Sequence, residues 1–405
     1  MSFSYEEVKQ AYERIRPYIR KTPLEQSFYL GDEIRNYFFK LESCQRAKSF
    51  KIRGALNKMM TLTDEEKQKG VATISSGNHG SSVSYAASLL GIENAKIIVP
   101  ETTPKSKVDK IKYFGAEVML MGKNYDEAHA RGMAYIEEHG MTYIDAYYDD
   151  PKIYGGQGTI AIELLEQNPD LDTIVVPIGG GGLASGVASA VKMLHPNVRV
   201  IGVQAAGAAG MKASIEAGHV VSLDTAKTIA DGIAVKKPGD LTFALCQQYV
   251  DEIVTVSEDE IAAAILALME NQKLVAEGAG ATPVAAALFG KLPLAGKKTV
   301  CLISGGNIDV NILSRVITRG LVMSGRKTNL MIALEDKPGQ LSLVSDIVSA
   351  CGANVVSVHH DRSDANMAIT SCFLKLGLET RDAVQIETIK QKLTEAGFKL
   401  VTERA

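Results

Sequence analysis

The stretch Ser49-Phe50-Lys51-Ile52-Arg53-Gly54-Ala55 follows a strand-like apolar run at residues 37–41 and opens a helical pattern at residues 54–60. Ser49 is predicted to cap this helix, which places Lys51 in its first turn. The positive end of a helix dipole and burial both disfavour an ammonium ion. They favour instead the neutral amine that forms a Schiff base with a carbonyl group. A lone lysine at a helix start is usually a solvated charge, so this interpretation depends on the motifs that follow.

The apolar runs of the chain predict an α/β fold with mostly parallel sheets. Short runs at residues 71–74, 95–99, 117–120, 173–176, 198–203 and 299–303 are followed by small or turn-forming residues. Such runs are typical of strands that are covered on both faces. Helical patterns lie between them, as βαβ units require. In sheets of this kind, ligands bind at the carboxyl ends of the strands.

Three small-residue motifs fall at these strand ends. Ser75-Ser76-Gly77-Asn78-His79-Gly80 exposes backbone amides that can hold a carboxylate, and the side chain of Asn78 can bind a cofactor oxygen. Gly179-Gly180-Gly181-Gly182-Leu183 forms a nest of amides before a helix, which suits a phosphate dianion. Ser304-Gly305-Gly306-Asn307 places a hydroxyl at a third strand end. Each motif alone is also compatible with an ordinary turn or helix cap.

Taken together, the four motifs predict a single ligand. Lys51 needs a carbonyl group, the glycine loop needs a phosphate, and Ser304 needs a ring nitrogen or a similar acceptor. Pyridoxal 5′-phosphate carries all three groups. Chance occurrence of such motifs at successive strand ends is improbable, so we predict a pyridoxal-phosphate enzyme.

In order and spacing, these motifs resemble those of the serine/threonine dehydratase family of pyridoxal-phosphate enzymes, which has a tryptophan-synthase-β-like fold (fold type II). The resemblance covers roughly residues 5–318. It implies a two-lobed catalytic domain at residues 1–319. By length and arrangement it points to the threonine ammonia-lyase branch, which converts L-threonine to 2-oxobutanoate and ammonia, and L-serine to pyruvate and ammonia.

The resemblance also implies a role for each motif. Lys51, beside Phe50, would carry the cofactor and act as the base on the substrate Cα proton. The backbone amides of residues 179–183 would hold the phosphate, Asn78 would contact the 3-oxygen of the cofactor, and Ser304 would bind its pyridine nitrogen. The substrate carboxylate would be held by the loop that includes Ser75, Ser76, Gly77 and His79. Glu277 would lie near the cofactor ring or cap a helix.

One departure from the family pattern keeps a racemase alternative open, and a second argues against it. A serine at the position of Ser76 is the second acid/base of related serine racemases, and two proton donors on opposite faces permit racemisation. Serine racemase and 3-hydroxyaspartate dehydratase therefore remain alternatives. The acidic metal ligands of the racemase branch are replaced here by Gln204 and Gly210. Neither residue supplies an anionic oxygen, so no metal is predicted.

The last part of the chain has its own pattern. Residues 329–405 read as a βαββαβ, ferredoxin-like arrangement, and residues 320–328 as a linker. This segment resembles an ACT regulatory domain. The resemblance implies an amino-acid effector and a homodimer or homotetramer. A non-enzymatic alternative is an amino-acid sensor on a degenerate enzyme fold, although an intact Lys51 argues against it.

The overall composition of the chain argues against several other classes of function. The net charge of −3 and the lack of a basic run do not indicate nucleic-acid binding. No apolar run is long enough to span a membrane, and no signal peptide is evident, so a cytoplasmic enzyme is expected. The five cysteines are scattered without a CxxC pair. The spacing therefore predicts neither a structural zinc site nor a disulfide framework.

Overall fold

The computed structural model describes residues 3–32, 36–148, 150–292, 298–362 and 370–401. The chain divides into two compact units, residues 1–309 and residues 310–405. The division lies before residue 319, where the sequence predicts the end of the catalytic domain. Within the described ranges, no helix is long and apolar enough to cross a membrane.

The first unit alternates strands and helices, as predicted. Its strands are β1 (Leu24–Gly31), β2 (Asn36–Leu41), β3 (Val71–Ile74), β4 (Ala95–Val99), β5 (Glu117–Leu120), β6 (Thr142–Tyr143), β7 (Thr173–Pro177), β8 (Arg199–Ala205), β9 (Glu252–Val256) and β10 (Lys298–Ile303). Its helices are α1 (Tyr5–Ile15), α2 (Lys51–Met60), α3 (Asp64–Lys69), α4 (Asn78–Leu90), α5 (Lys105–Tyr113), α6 (Tyr125–Glu138), α7 (Pro151–Gln167), α8 (Gly182–Leu194), α9 (Gly210–Ala217), α10 (Asp240–Tyr249), α11 (Glu258–Ala267) and α12 (Gly278–Leu288).

Two sheets form the two lobes of this unit. The larger sheet has the order β1-β2-β10-β7-β8-β9, and only the β1–β2 pair is antiparallel. The smaller sheet, β5-β4-β3-β6, is parallel throughout. Strands β3 and β7 are buried along their whole length, which explains why they read as continuous apolar runs. The predicted two-lobed, mostly parallel α/β fold is confirmed.

The second unit contains helix α13 (Val310–Met323), strand β11 (Lys327–Glu335), helix α14 (Gln340–Ala350), strands β12 (Asn354–Asp361) and β13 (Ser371–Glu379), helix α15 (Ala383–Glu395) and strand β14 (Lys399–Val401). The antiparallel order β12-β13-β11-β14 gives the expected ferredoxin-like arrangement. The strand predicted at residues 367–376 falls partly outside the described residues.

The linker predicted at residues 320–328 differs from the structure. Its first residues continue α13, which extends to Met323, and its last residues belong to β11, which begins at Lys327. The chain turns between these two elements at Gly325, where the φ angle of 69° favours glycine. The glycine and serine residues therefore indicate a tight connection between a helix and a strand, which is shorter than the predicted linker.

Candidate active site

Lys51 is the first residue of α2, as predicted, but Ser49 does not cap that helix. The capping position is Phe50, and the Ser49 hydroxyl is buried with no hydrogen-bond partner among the described residues. The segment is instead fixed by a bridge between Ser49 and Gly305, with the Phe50 amide donating to the Ser304 carbonyl at 3.0 Å. Pairing with the end of β10 therefore replaces the side-chain cap.

Among the described residues, the amine of Lys51 makes one hydrogen bond, to the carbonyl oxygen of Ala146 at 2.9 Å, and its nitrogen lies 5.3 Å from the centre of the Phe50 ring. Burial lowers the pKa of Lys51 to about 8, and the carboxylates of Asp145 and Glu277 partly oppose this shift. Burial therefore disfavours the charged ammonium form of Lys51, as predicted. An amine with this pKa reaches its neutral form far more readily than an exposed lysine does.

The loop of residues 75–80 joins β3 to α4. The Ser75 hydroxyl accepts a hydrogen bond from the Gly77 amide at 3.3 Å, and Ser75, Ser76 and Gly77 are half-buried. A Cβ atom on Gly80 would overlap the Ser75 carbonyl oxygen, so only glycine permits this turn. The loop thus presents small polar groups that are partly shielded from solvent but still accessible to a ligand.

His79, at the start of α4, is buried. Its Nε2 lies 2.9 Å from the carbonyl oxygen of Ile144, and its Nδ1 has no partner among the described residues. Burial, and then the positive charge of Lys51, lower the pKa of His79 to about 4. The imidazole is therefore neutral, with Nε2 donating its proton to Ile144 and Nδ1 left as an acceptor.

Asn78 is held by a carboxylate. Its side-chain nitrogen lies 2.8 and 2.9 Å from the two oxygens of Glu277, and its oxygen accepts from the side chain of Asn307. The Asn307 amide also donates to Glu277, at 3.2 Å. Burial raises the pKa of Glu277 to about 7, Asn78 opposes this shift, and the charge of Asp231 adds to it. Glu277 therefore links the Asn78 loop to the loop after β10.

The glycine loop lies between β7 and the amino end of α8. In the described part of the chain, the amides of Gly179, Gly180 and Gly181 donate to no backbone carbonyl. Gly181 has a φ angle of 99°, and a Cβ atom on Gly180 would overlap the ring of Tyr147. The first amides of a helix also lack partners within the helix. The loop is thus a glycine-dependent nest of free amides, which is the arrangement that binds phosphate.

One segment, residues 144–148, connects the motifs, and the sequence did not indicate it. Its carbonyl groups bind His79 and Lys51, and its Tyr147 ring packs on the glycine loop. The Asp145 carboxylate accepts from the amides of Tyr147 at 2.6 Å and Tyr148 at 2.5 Å, which fixes the turn. No glycine-rich or paired-residue pattern marks this segment, so only the tertiary structure reveals it.

The residues present fit pyridoxal phosphate. The site offers a partly buried amine of lowered pKa and, among the described residues, a nest of amides without backbone partners and an unpartnered acceptor, Nδ1 of His79. Ser304 is buried at the end of β10, beside the Lys51 segment. Gln204, at the position of a racemase metal ligand, uses its side chain on two carbonyls and on the amide of Lys212.

Comparison with known proteins agrees with this geometry. Residues 15–306 match the family model described as pyridoxal-phosphate dependent enzyme. An L-threonine ammonia-lyase of Thermotoga maritima is 45% identical over 98% of this chain and 98% of its own. Maize serine racemase is similar in structure (TM-score 0.74, 36% identity, 80% of this chain and 99% of that one).

The processed form of threonine deaminase isoform 2 from Solanum lycopersicum is also similar (TM-score 0.72, 38% identity, 77% of this chain and 93% of that one). The predicted family and cofactor class are confirmed. The chain belongs to the pyridoxal-phosphate-dependent enzymes, in the family of the threonine ammonia-lyases.

Proposed function

We propose that the protein deaminates L-threonine to 2-oxobutanoate and ammonia, and L-serine to pyruvate and ammonia. The observation that carries the proposal is the partly buried amine of Lys51, which donates to the Ala146 carbonyl at 2.9 Å near the point where the four loops converge. The likeness to a threonine ammonia-lyase over nearly the whole chain supports the choice of reaction.

Lys51 is the central residue of the mechanism. Pyridoxal phosphate, when bound through this lysine, supplies the electron sink that makes the substrate Cα proton acidic. The released amine of Lys51, with its pKa of about 8, takes that proton and returns it to the leaving hydroxyl. Loss of water gives an enamine, which becomes an imine and hydrolyses to the 2-oxoacid and ammonia.

The surrounding loops bind and orient the reactants. The amides of Gly179, Gly180, Gly181, Gly182 and Leu183 would hold the phosphate, Asn78 would contact the ring oxygen of the cofactor, and Ser304 would bind its ring nitrogen. A neutral hydroxyl does not stabilise a full positive charge on that nitrogen as a carboxylate would. Ser304 would therefore limit the positive charge that the ring nitrogen takes up.

The loop of residues 75–79 receives the substrate. We assign the substrate carboxylate to the small polar residues Ser75, Ser76 and Gly77, which are half-buried at the end of β3. The buried neutral imidazole of His79 follows them in the chain, and its Nδ1 has no partner among the described residues. Carboxylate binding at such a loop resembles anion binding at other helix starts.

Serine racemisation is a second candidate, and Ser76 favours it. This residue lies in the substrate loop with a partly exposed side chain, and maize serine racemase shares the fold at 36% identity. If Ser76 donates a proton on the face opposite Lys51, D-serine forms beside pyruvate. Ser76→Ala would then abolish D-serine production while threonine deamination continues.

We further propose that the second unit acts as an amino-acid-binding ACT domain that pairs with a second copy of the chain. Its βαββαβ order and the edge position of β12 support this proposal. Val356 and Val358 on that edge strand are 50% and 44% exposed, and exposed apolar edges are typical pairing surfaces. Sedimentation at several protein concentrations, with and without isoleucine or valine, tests both the pairing and the effector.

The proposed reaction is tested by mixing the purified chain with pyridoxal phosphate and recording its visible absorption. L-Threonine and L-serine are then added separately, and 2-oxoacid and D-serine are measured. The proposal expects a visible band that is absent in Lys51→Ala, with 2-oxobutanoate as the product from threonine. D-serine as the main product would move the assignment to the racemase, and the absence of any band would overturn the enzyme assignment.

A further inference from the structure

Three potential metal ligands converge in the second unit, away from the candidate active site in the sequence. They are the carboxylate of Asp336, the imidazole of His360 and the thiol of Cys372, and their ligand atoms all lie within 4.8 Å of one another. The sequence gives no hint of this cluster, because no two of these residues form a short metal-binding spacing. Strand pairing alone brings them together.

The register of the sheet explains the convergence. Cys372 on β13 pairs with Leu334 on β11, and His360 on β12 pairs with Leu374 on β13. Residues two apart on a strand face the same side of the sheet. His360 and Cys372 therefore share one face as diagonal neighbours, and Asp336, two residues after Leu334, follows at the same end. Three adjacent chain segments thus contribute one ligand each.

The contacts within the cluster are short and well defined. His360 Nε2 lies 2.8 Å from Cys372 Sγ, and the Asp336 amide donates to the Thr370 carbonyl at 2.8 Å, which ties the end of β11 to β13. Cys372 is 1% exposed, whereas Asp336 and His360 reach the surface. Arg362 pairs with Asp336 at 3.0 Å and is itself largely exposed. The cluster is therefore buried at Cys372 and accessible to solvent at Asp336 and His360.

We propose that Asp336, His360 and Cys372 bind a divalent ion of the zinc class. One sulfur, one nitrogen and one carboxylate oxygen are ligands that Zn²⁺ accepts, and in tetrahedral coordination they lie roughly 3.5 Å apart. The distance of 2.8 Å between His360 Nε2 and Cys372 Sγ is shorter than this value, and all three ligand atoms lie within 4.8 Å of one another. Small side-chain rotations of the exposed His360 and Asp336 therefore suffice. The fourth position is left to water.

Binding replaces two existing interactions. The Cys372 thiol gives its proton to solvent as the sulfur–metal bond forms, and the exposed Arg362 leaves the Asp336 carboxylate. Because each ligand comes from a different strand or strand end, the ion ties β11, β12 and β13 together. We expect bound Zn²⁺ to raise the thermal stability of the second unit, since the ion binds the folded state alone.

The test uses the full-length holoenzyme, freed of metal by a chelator and dialysed against Zn²⁺. The proposal expects one Zn²⁺ per chain, and loss of that ion in Cys372→Ser and in His360→Asn. Matched controls are Cys351→Ser and His359→Asn, which remove a second cysteine and the adjacent histidine of the same unit and should keep the ion. Circular dichroism checks that each variant is folded.

Co²⁺ gives a second readout that is independent of affinity. A Co²⁺–thiolate bond produces a charge-transfer band in the near ultraviolet, which should appear in the natural sequence and in Cys351→Ser but not in Cys372→Ser. If Cys372→Ser fails to fold, His360→Asn and Asp336→Asn decide the question, because both change surface-reaching side chains. The absence of stoichiometric Zn²⁺, or binding that survives in His360→Asn and Asp336→Asn, overturns the proposal.

Discussion

Lys51 and Arg53 lie two residues apart on α2, and both are basic side chains shielded from solvent, Lys51 partly and Arg53 fully, yet their surroundings differ completely. Arg53 donates to the Glu42 carboxylate at 2.8 Å through both Nε and a terminal nitrogen, and to the Glu163 carboxylate at 2.8 and 2.9 Å. Lys40 binds Glu163 at 2.6 Å, so two cations meet two carboxylates. Lys51, by contrast, makes no ion pair within the described residues and binds only a carbonyl.

The pKa values follow this difference. Burial alone would lower the pKa of Arg53, but attraction to Glu42 and then to Glu163 outweighs it and raises the pKa. At Lys51 burial dominates, and the pKa falls to about 8. The comparison teaches that a fully paired buried cation maintains the fold, whereas an underpaired one is available for chemistry.

The largest expected effect is on activity, in Lys51→Ala. Loss of the proton transfer alone should lower kcat by about 10²- to 10⁴-fold, and the visible absorption of the bound cofactor should vanish. Urea denaturation of the cofactor-free protein should change little, because Lys51 contributes one hydrogen bond. Lys48→Asn is a matched control, since Asn tolerates the φ angle of 63° at that position. Retained activity in Lys51→Ala would contradict the proposed difference between a catalytic Lys51 and a structural Arg53.

Arg53→Met should show the opposite pattern. The buried Glu42 carboxylate loses its ion-pair partner and Glu163 keeps only Lys40, which costs about 3–5 kcal/mol in the free energy of unfolding. Urea denaturation of the cofactor-free protein measures this loss, and a double variant with Glu42→Gln should recover part of it. Unchanged stability in Arg53→Met would mean that the cluster does not maintain the fold.

Glu277 links stability to pH. Burial raises its pKa from 4.5 to about 7, so the folded state holds a proton that the unfolded state has lost. The contribution of Glu277 to the free energy of unfolding is fully present below about pH 4.5 and is lost as the pH rises through about 7. This amounts to about 3 kcal/mol across the window. The difference in unfolding free energy between the natural sequence and Glu277→Gln should change by this amount, and a constant difference would contradict the account.

Much of the fold was predictable, because the apolar runs of β3, β4, β7, β8 and β10 reflect burial on both faces. Strands β1 and β9 were not predicted, since their half-buried residues lack a continuous apolar run. The motif residues Lys51, Asn78 and Ser304 were indicated by local chemistry at strand ends. The prediction that Ser49 caps α2 was wrong, because Ser49 instead pairs with Gly305, a residue far away in the sequence.

The segment of residues 144–148 was also not predictable, because its contacts are with residues distant in the sequence. Substitution of its Asp145 has the smallest effect of the changes considered. Asp145→Asn keeps an oxygen for the amides of Tyr147 and Tyr148 but removes a charge that raises the pKa of Lys51. The pH midpoint for attachment of pyridoxal phosphate to the cofactor-free protein should therefore move to lower pH, with stability preserved. Asp145→Ala should also weaken cofactor binding, because the turn is lost. An unchanged midpoint in Asp145→Asn would show that this carboxylate does not act on Lys51.

The most direct test of the central claim is to reduce the cofactor–protein linkage of the holoenzyme with borohydride, digest the protein and locate the labelled lysine by mass spectrometry. The underpaired environment of Lys51 predicts a single phosphopyridoxyl group on the peptide that contains residue 51. A label on Lys48, Lys110 or another lysine, or no label at all, would contradict the assignment of Lys51 as the residue that carries the cofactor.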